Sequence, residues 1–116
     1  MIHNLTRDTI IARRVVIANS FFSRLKGLLG RKSIAADEAL VITACQQIHM
    51  FFMRFAIDVI FVDGEDRVVG LVKEIGPFGV SPIFWKANRA IELVPGSISN
   101  SKTQVGDRLR VSESPR

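Results

Sequence analysis

The stretch from Cys45 to Asp63, CQQIHMFFMRFAIDVIFVD, decides how the rest of the chain can fold. It contains the only cysteine, one of two histidines and four of the eight phenylalanines. Its second half, residues 57–62, is β-branched and aromatic, which predicts a strand whose side chains alternate between two faces. Asp63 and Gly64 then begin a turn, and residues 67–73 return as the partner strand. A β-hairpin is therefore the centre of the predicted fold.

Short apolar segments between turn residues predict the other strands. These segments are residues 9–18, with an irregularity at Arg13 and Arg14, and residues 39–43, 89–94 and 108–112. One helix is predicted from Asn19 or Ser20 to Gly30, because apolar residues recur there at helical spacing and the glycine favours a left-handed cap. Glycine and proline predict a loop over residues 76–82, and residues 98–104 are polar and turn-like.

These elements predict an α+β domain that is mainly β. The expected architecture is a small, curved antiparallel sheet or barrel of six to seven strands, with one helix near the N-terminus. Residues 1–116 are expected to form a single domain, in which residues 113–116 are a frayed tail. Hydrophobic residues make up 47% of the chain, which argues against disorder.

The single cysteine, Cys45, cannot form an internal disulfide, so we predict a free thiol and a cytoplasmic protein. The N-terminus has no apolar run of signal-peptide length. The longest uncharged stretch is too short and too polar for a membrane span, and none is predicted.

The net charge of +5 is unevenly distributed. Residues 1–32 contain seven basic side chains and one acidic side chain. This basic third could attract phosphates, with phenylalanines and Trp85 as stacking platforms for nucleic acid. However, tyrosine is absent and the phenylalanines fall mostly at core positions, so nucleic acid ranks below other partners without being excluded.

The order of motifs resembles one known family. The central motif is Cys45-x-x-Ile48-His49-x-x-x-Met53-Arg54-Phe55-x-Ile57-Asp58-Val59-x-Phe61-x-Asp63, and the flanking motifs are Arg24-x-x-Gly27-Leu28-Leu29-Gly30, Ala90-Ile91-Glu92-Leu93-x-Pro95-Gly96 and Gly106-Asp107. Together they resemble the signature of the domain-of-unknown-function 192 family of small bacterial and archaeal proteins. The chain has Ala56 where that family usually has proline. The resemblance implies a small, mainly β fold with a helix, and it carries no established activity.

Polar side chains within apolar surroundings are the candidate site. His49, Arg54, Asp58 and Glu92 are predicted to line one cleft near residues 76–85, with Cys45 and Met53 close by. Such a cleft would bind a small polar ligand or a partner protein, and no cofactor is predicted. The alternative is structural: Asp58 and Glu92 pair with arginines or accept hydrogen bonds from loop amides.

The same residues also allow an enzymatic interpretation. In a hydrolytic or thiol-dependent enzyme, Cys45 would be the nucleophile, His49 the base, Asp58 its orienting group and Glu92 an acid or base. No nucleophile-elbow glycine accompanies them, and the catalytic residues stay unassigned.

A soft-metal site at Cys45, His49 and Met53 would require a helix, since on a strand these residues are too far apart for one ion. The intervening phenylalanines favour a strand, so no metal site is predicted.

Overall fold

A computed structural model describes residues 1–18, 34–50 and 53–112. Within these ranges the chain is mainly β, with eight strands in two sheets and one short helix. The elements are β1 (Ile2–Asn4), β2 (Thr9–Ala12), β3 (Arg14–Ala18), β4 (Glu38–Thr43), β5 (Ile57–Val62), β6 (Val68–Ile75), β7 (Arg89–Leu93), α1 (Ser97–Ser101) and β8 (Leu109–Val111).

The larger sheet has five strands in the order β3-β4-β7-β5-β6. Strands β3 and β4 are parallel, whereas the other three neighbouring pairs are antiparallel. The smaller sheet is antiparallel, in the order β2-β1-β8. One apolar cluster joins the two sheets, and it includes Ile2 and Leu109 of the smaller sheet, Val41 and Ile91 of the larger sheet, and Ile98 of α1.

Strand β5 is buried on both faces. Ile57, Val59 and Phe61 belong to a second apolar cluster on the far face of the larger sheet. Ile60 and Val62 face the cluster shared by the two sheets. Full burial of a side chain of this kind stabilises the fold by about 2 kcal/mol. The predicted hairpin of residues 57–62 with the following strand is present, and its alternation between faces is confirmed.

The predicted single antiparallel sheet or barrel is wrong. The described strands form two sheets that do not close into a barrel, and one pair is parallel. The division occurs at Arg13, where the predicted strand 9–18 is interrupted. The amides of Arg13 and Arg14 both donate to the Asp37 carbonyl at 2.9 Å. Because this bend turns the chain, β2 pairs within the smaller sheet and β3 within the larger one.

The predicted position of the helix is also corrected. Among the described residues the helix is α1, near the C-terminus, in a segment that the sequence marked as turn-like. The helix predicted from Asn19 or Ser20 to Gly30 lies outside the described residues. Five residues are too few to show a 3.6-residue apolar period, which is why the sequence did not reveal α1. No helix in residues 1–18, 34–50 and 53–112 has the length and apolarity to cross a membrane.

Candidate functional site

Residues 46–50 of the central stretch lie antiparallel to residues 78–85, and we call these two segments together the ribbon. Backbone hydrogen bonds connect them along their length: Met50 N–H to Gly79 O (2.8 Å), Phe78 N–H to Met50 O (2.9 Å), Ser81 N–H to Ile48 O (2.8 Å) and Phe84 N–H to Gln46 O (2.9 Å). His49 and Val80 form an isolated β-bridge within it. The segment that the sequence predicted to be a loop is therefore held in a defined conformation.

Side chains add further connections between the two segments. The Ile48 amide donates to Ser81 Oγ at 2.9 Å, and Gln47 Nε2 donates to the Ser81 carbonyl at 3.0 Å. At the other end, Gln46 Nε2 donates to the Trp85 carbonyl at 2.8 Å. Glutamine and serine side chains thus supplement the backbone hydrogen bonds between the two segments.

Phe84 anchors the ribbon to the larger sheet. Its ring centroid lies 4.5 Å from that of Phe61 on β5, in a tilted arrangement typical of aromatic pairs. Gly70 on β6 lies opposite Phe61 in the strand register. A β-carbon on Gly70 would lie only 2.3 Å from the Phe84 ring, so the glycine leaves the space that the ring fills.

Four large apolar side chains of the ribbon are exposed. Phe78 and Trp85 are 73% and 75% exposed, and Val80 and Ile83 are exposed as well. These four side chains stand on a backbone that hydrogen bonds and Phe84 hold in place. Contiguous exposed apolar surface marks interaction sites in folded proteins, whereas single exposed apolar residues do not.

The exposed charges around the ribbon are mostly basic. Arg54, Lys73 and Lys86 are exposed, and Glu74 is the one acidic residue in the described parts of residues 45–56 and 73–88. The field at this surface therefore favours anionic groups.

Asp58 accepts hydrogen bonds from three backbone amides. Its carboxylate accepts hydrogen bonds from the N–H groups of Glu74 (2.9 Å), Gly96 (3.1 Å) and Ile98 (3.0 Å). Glu74 and Gly96 both have a positive φ, at 51° and 95°. Asp58 thus joins the end of β6 to the turn before α1, which is the arrangement that the structural alternative described.

Glu92 is fully buried on the opposite face of the sheet from Asp58. It lies between Leu40 on β4 and Val59 on β5 in the strand register. Both neighbours belong to the cluster that contains Met50 and Met53, whereas Asp58 points towards α1. The structure therefore does not bring the Asp58 and Glu92 carboxylates together.

The other predicted site residues lie close in sequence but differ in exposure. Met53 is buried in the core cluster, and Cys45 is half-buried against it. The Cys45 thiol donates to the Gln47 carbonyl at 3.3 Å. His49 is half-buried in the ribbon, and Arg54 is exposed. Residues 45–50 are not helical, so the helical row that a soft-metal site requires is not formed there.

The positions of these residues limit which of them could act together in an enzyme or bind one metal ion. Because Asp58 and Glu92 face opposite sides of the sheet, they cannot both act with Cys45 and His49 at one centre. In residues 1–18, 34–50 and 53–112, no group of three or more His, Cys, Asp or Glu residues has a geometry suited to a metal ion.

Sequence reasoning missed the apolar surface of the ribbon. The signal was present as five large apolar residues inside a glycine- and proline-rich segment, which disfavours a core strand. Such residues must either anchor the loop or face solvent, and Phe84 anchors it while its neighbours do not.

Comparison with known proteins places the chain among proteins of unknown function. The DUF192 family model, described as an uncharacterized ACR, matches residues 2–111. A UPF0127 protein of Thermococcus sibiricus is 34% identical over 115 residues, covering 94% of this chain and 73% of that protein. A UPF0127 protein of Pyrococcus horikoshii is 32% identical over 113 residues, covering 95% of this chain and 97% of that protein.

Two solved structures share the fold. One is a protein of unknown function from Novosphingobium aromaticivorans, with a TM-score of 0.73 and 18% identity, covering 84% of this chain and 74% of that one. The other is described as a putative transcription regulator from Sinorhizobium meliloti, with a TM-score of 0.70 and 20% identity, covering 83% and 79%. The extent of the family match, together with these relatives, shows that the chain belongs to the DUF192 family of uncharacterized proteins.

Proposed function

We propose that this protein is a binding protein that engages a partner protein through the exposed apolar side chains of the ribbon. The observation that carries the proposal is the exposure of Phe78, Val80, Ile83 and Trp85 on one anchored segment. Tryptophan and other aromatic residues supply much of the binding energy at protein interfaces. Because the ribbon is already ordered by its hydrogen bonds, binding would cost little further conformational entropy.

A partner protein fits this surface better than a small polar ligand. Small-molecule sites are concave, with a few polar groups converging on the ligand. Here the two buried carboxylates face opposite sides of the sheet, and Arg54 is exposed. The ribbon exposes two aromatic side chains, Phe78 and Trp85, and aromatic residues are enriched at protein interfaces.

The geometry also favours binding over catalysis. Asp58, which would orient a catalytic histidine, has its oxygens occupied by three amides on the α1 side of the sheet. An orienting carboxylate must lie within hydrogen-bond reach of the histidine ring.

Site-specific photo-crosslinking in the native host tests this proposal. A benzophenone amino acid at position 83 samples the apolar surface and leaves Phe78 and Trp85 intact. The matched control carries the same probe at Val105, which is 62% exposed and lies outside the ribbon. We expect one reproducible protein adduct from position 83 and none of that mass from position 105.

The partner identified in this way is then purified and titrated against the wild-type protein and a Trp85→Ala variant. We expect the variant to bind at least 10-fold more weakly with an unchanged melting temperature, because Trp85 is exposed in the unbound protein. Equal adducts from both probe positions, or equal affinities of the two proteins, would contradict the proposal.

A further inference from the structure

The tip of the ribbon is a tight turn with an aromatic residue at an unusual position. The Gly79 amide donates to the Gly76 carbonyl at 2.9 Å and so closes a four-residue turn. Pro77 occupies its second position and Phe78 its third, where φ is 65°. With proline second, a positive φ at the third position defines a type II turn.

The third position of a type II turn normally takes glycine or asparagine, because a β-carbon in the left-handed region is crowded by the backbone. Phe78 therefore occupies a strained conformation. Gly79 completes the tight turn because it has no side chain: a β-carbon there would lie 2.8 Å from Ile75 Cγ1 and 2.9 Å from the Gly76 carbonyl oxygen.

Within the described residues, the Phe78 ring makes no packing contact that would offset this strain. The side chain is 73% exposed, so it buries little apolar surface against its own protein. The hydrogen bond from its amide to the Met50 carbonyl would form equally well with glycine at this position. Strained residues that persist without an internal benefit cluster at binding sites.

We propose that Phe78 is the anchor residue for the partner, held at the ribbon tip against its backbone preference. We also propose that the partner presents an apolar segment flanked by acidic side chains. The second statement follows from Arg54, Lys73 and Lys86, which are exposed within five residues of the ribbon in sequence, where Glu74 is the one acidic residue in the described ranges. Both statements rest on the proposed function.

A stability measurement tests the strain without any partner. Phe78→Gly and Phe78→Ala both remove the ring, but only alanine retains a β-carbon at positive φ. We expect the glycine variant to melt about 4 °C above the alanine variant, and no lower than the wild type. A glycine variant that melts below both other proteins would overturn the statement about strain.

The binding readout is the adduct yield from the benzophenone probe at position 83, measured in the wild-type, Phe78→Gly, Phe78→Ala and Phe78→Trp backgrounds. We expect at least a 10-fold loss in the glycine and alanine variants, and recovery of most of the yield with tryptophan. Undiminished yield from the glycine variant would overturn the role of Phe78 and leave the proposed function standing. Absence of an adduct from the wild type would overturn both the role of Phe78 and the proposed function.

Charge reversal tests the chemistry of the partner. Lys86→Glu should lower the adduct yield several-fold, whereas Arg110→Glu, a charge reversal of the same size at an exposed position on β8, should leave it unchanged. Equal effects of the two reversals would overturn the acidic partner. Probe adducts with lipid, together with sedimentation of the protein on vesicles of anionic phospholipid, would assign the surface to a membrane and overturn the protein partner.

Discussion

Asp58 on β5 and Glu92 on β7 lie on adjacent strands and are one residue apart in the strand register. Their side chains therefore have different environments. Asp58 pairs with Leu93 and Glu92 with Val59, so the two carboxylates point to opposite faces of the larger sheet. On its face of the sheet, the Asp58 carboxylate accepts hydrogen bonds from three backbone amides. No other described side chain accepts from these amides. At this scale Asp58 is a structural acceptor that joins the end of β6 to the turn before α1, and its role in ligand binding stays a prediction.

Replacing Asp58 with alanine should destabilise the protein by about 3 kcal/mol, because it removes a charged acceptor from three amides in a poorly hydrated site. Asp58→Asn should cost about half as much, since the amide oxygen still accepts. Urea unfolding measures both values, and Glu65→Ala, at an exposed turn position, is the control with a change below about 0.5 kcal/mol. If the alanine variant were as stable as this control, the structural role of Asp58 would be refuted.

At the scale of elements, the ribbon depends on the fit between Phe84 and β6. Gly70 leaves the space for the ring, and the ring in turn holds residues 78–85 against the sheet. The inner position of Phe84 leaves its neighbours Ile83 and Trp85 outside. Packing and exposure at the candidate interface are therefore two results of the same contact.

Gly70→Ala should therefore displace the Phe84 ring and destabilise the protein by about 2 kcal/mol. We expect faster hydrogen exchange at the amides of Met50, Ser81 and Phe84, which bond across the ribbon. Gly64→Ala is the matched control, because its β-carbon would make an ordinary contact at 3.5 Å with Asn88. Protection of the ribbon amides that is the same in both variants would show that Phe84 does not anchor it.

At the scale of the whole molecule, a buried carboxylate joins the two ends of the chain. Asp107 accepts from Asn4 Nδ2 at 3.0 Å, from Arg7 Nε at 3.1 Å and from the Gln104 amide at 2.9 Å. Burial by itself raises the pKa of Asp107. The hydrogen bonds from Arg7, Asn4 and Gln104 outweigh this effect and bring the pKa below its ordinary value of 3.8. The smaller sheet, in which β1 pairs with β8, depends on this connection.

Stability should consequently fall in acid. Because the pKa of Asp107 is lower in the folded protein, its stabilisation is complete above pH 3.8 and is lost as the pH falls from there through the folded value. The difference in melting temperature between wild type and Asp107→Asn should therefore shrink over that interval. Thermal unfolding in steps from pH 6 to pH 2 measures it, and a constant difference would show that Asp107 does not titrate with folding.

Local patterns determined much of this protein. The β5–β6 hairpin follows from alternation and the Asp63-Gly64 turn, and the motifs around it identified the family, since these signals act between residues close in sequence. Tertiary structure alone decided that the chain changes sheets at Arg13, that Asp58 and Glu92 face apart, and that Phe84 packs inward while Phe78 and Trp85 remain exposed. These outcomes depend on strand register and on the packing space that residues distant in sequence leave, such as the space beside Gly70 for the Phe84 ring. A local sequence pattern determines neither of them.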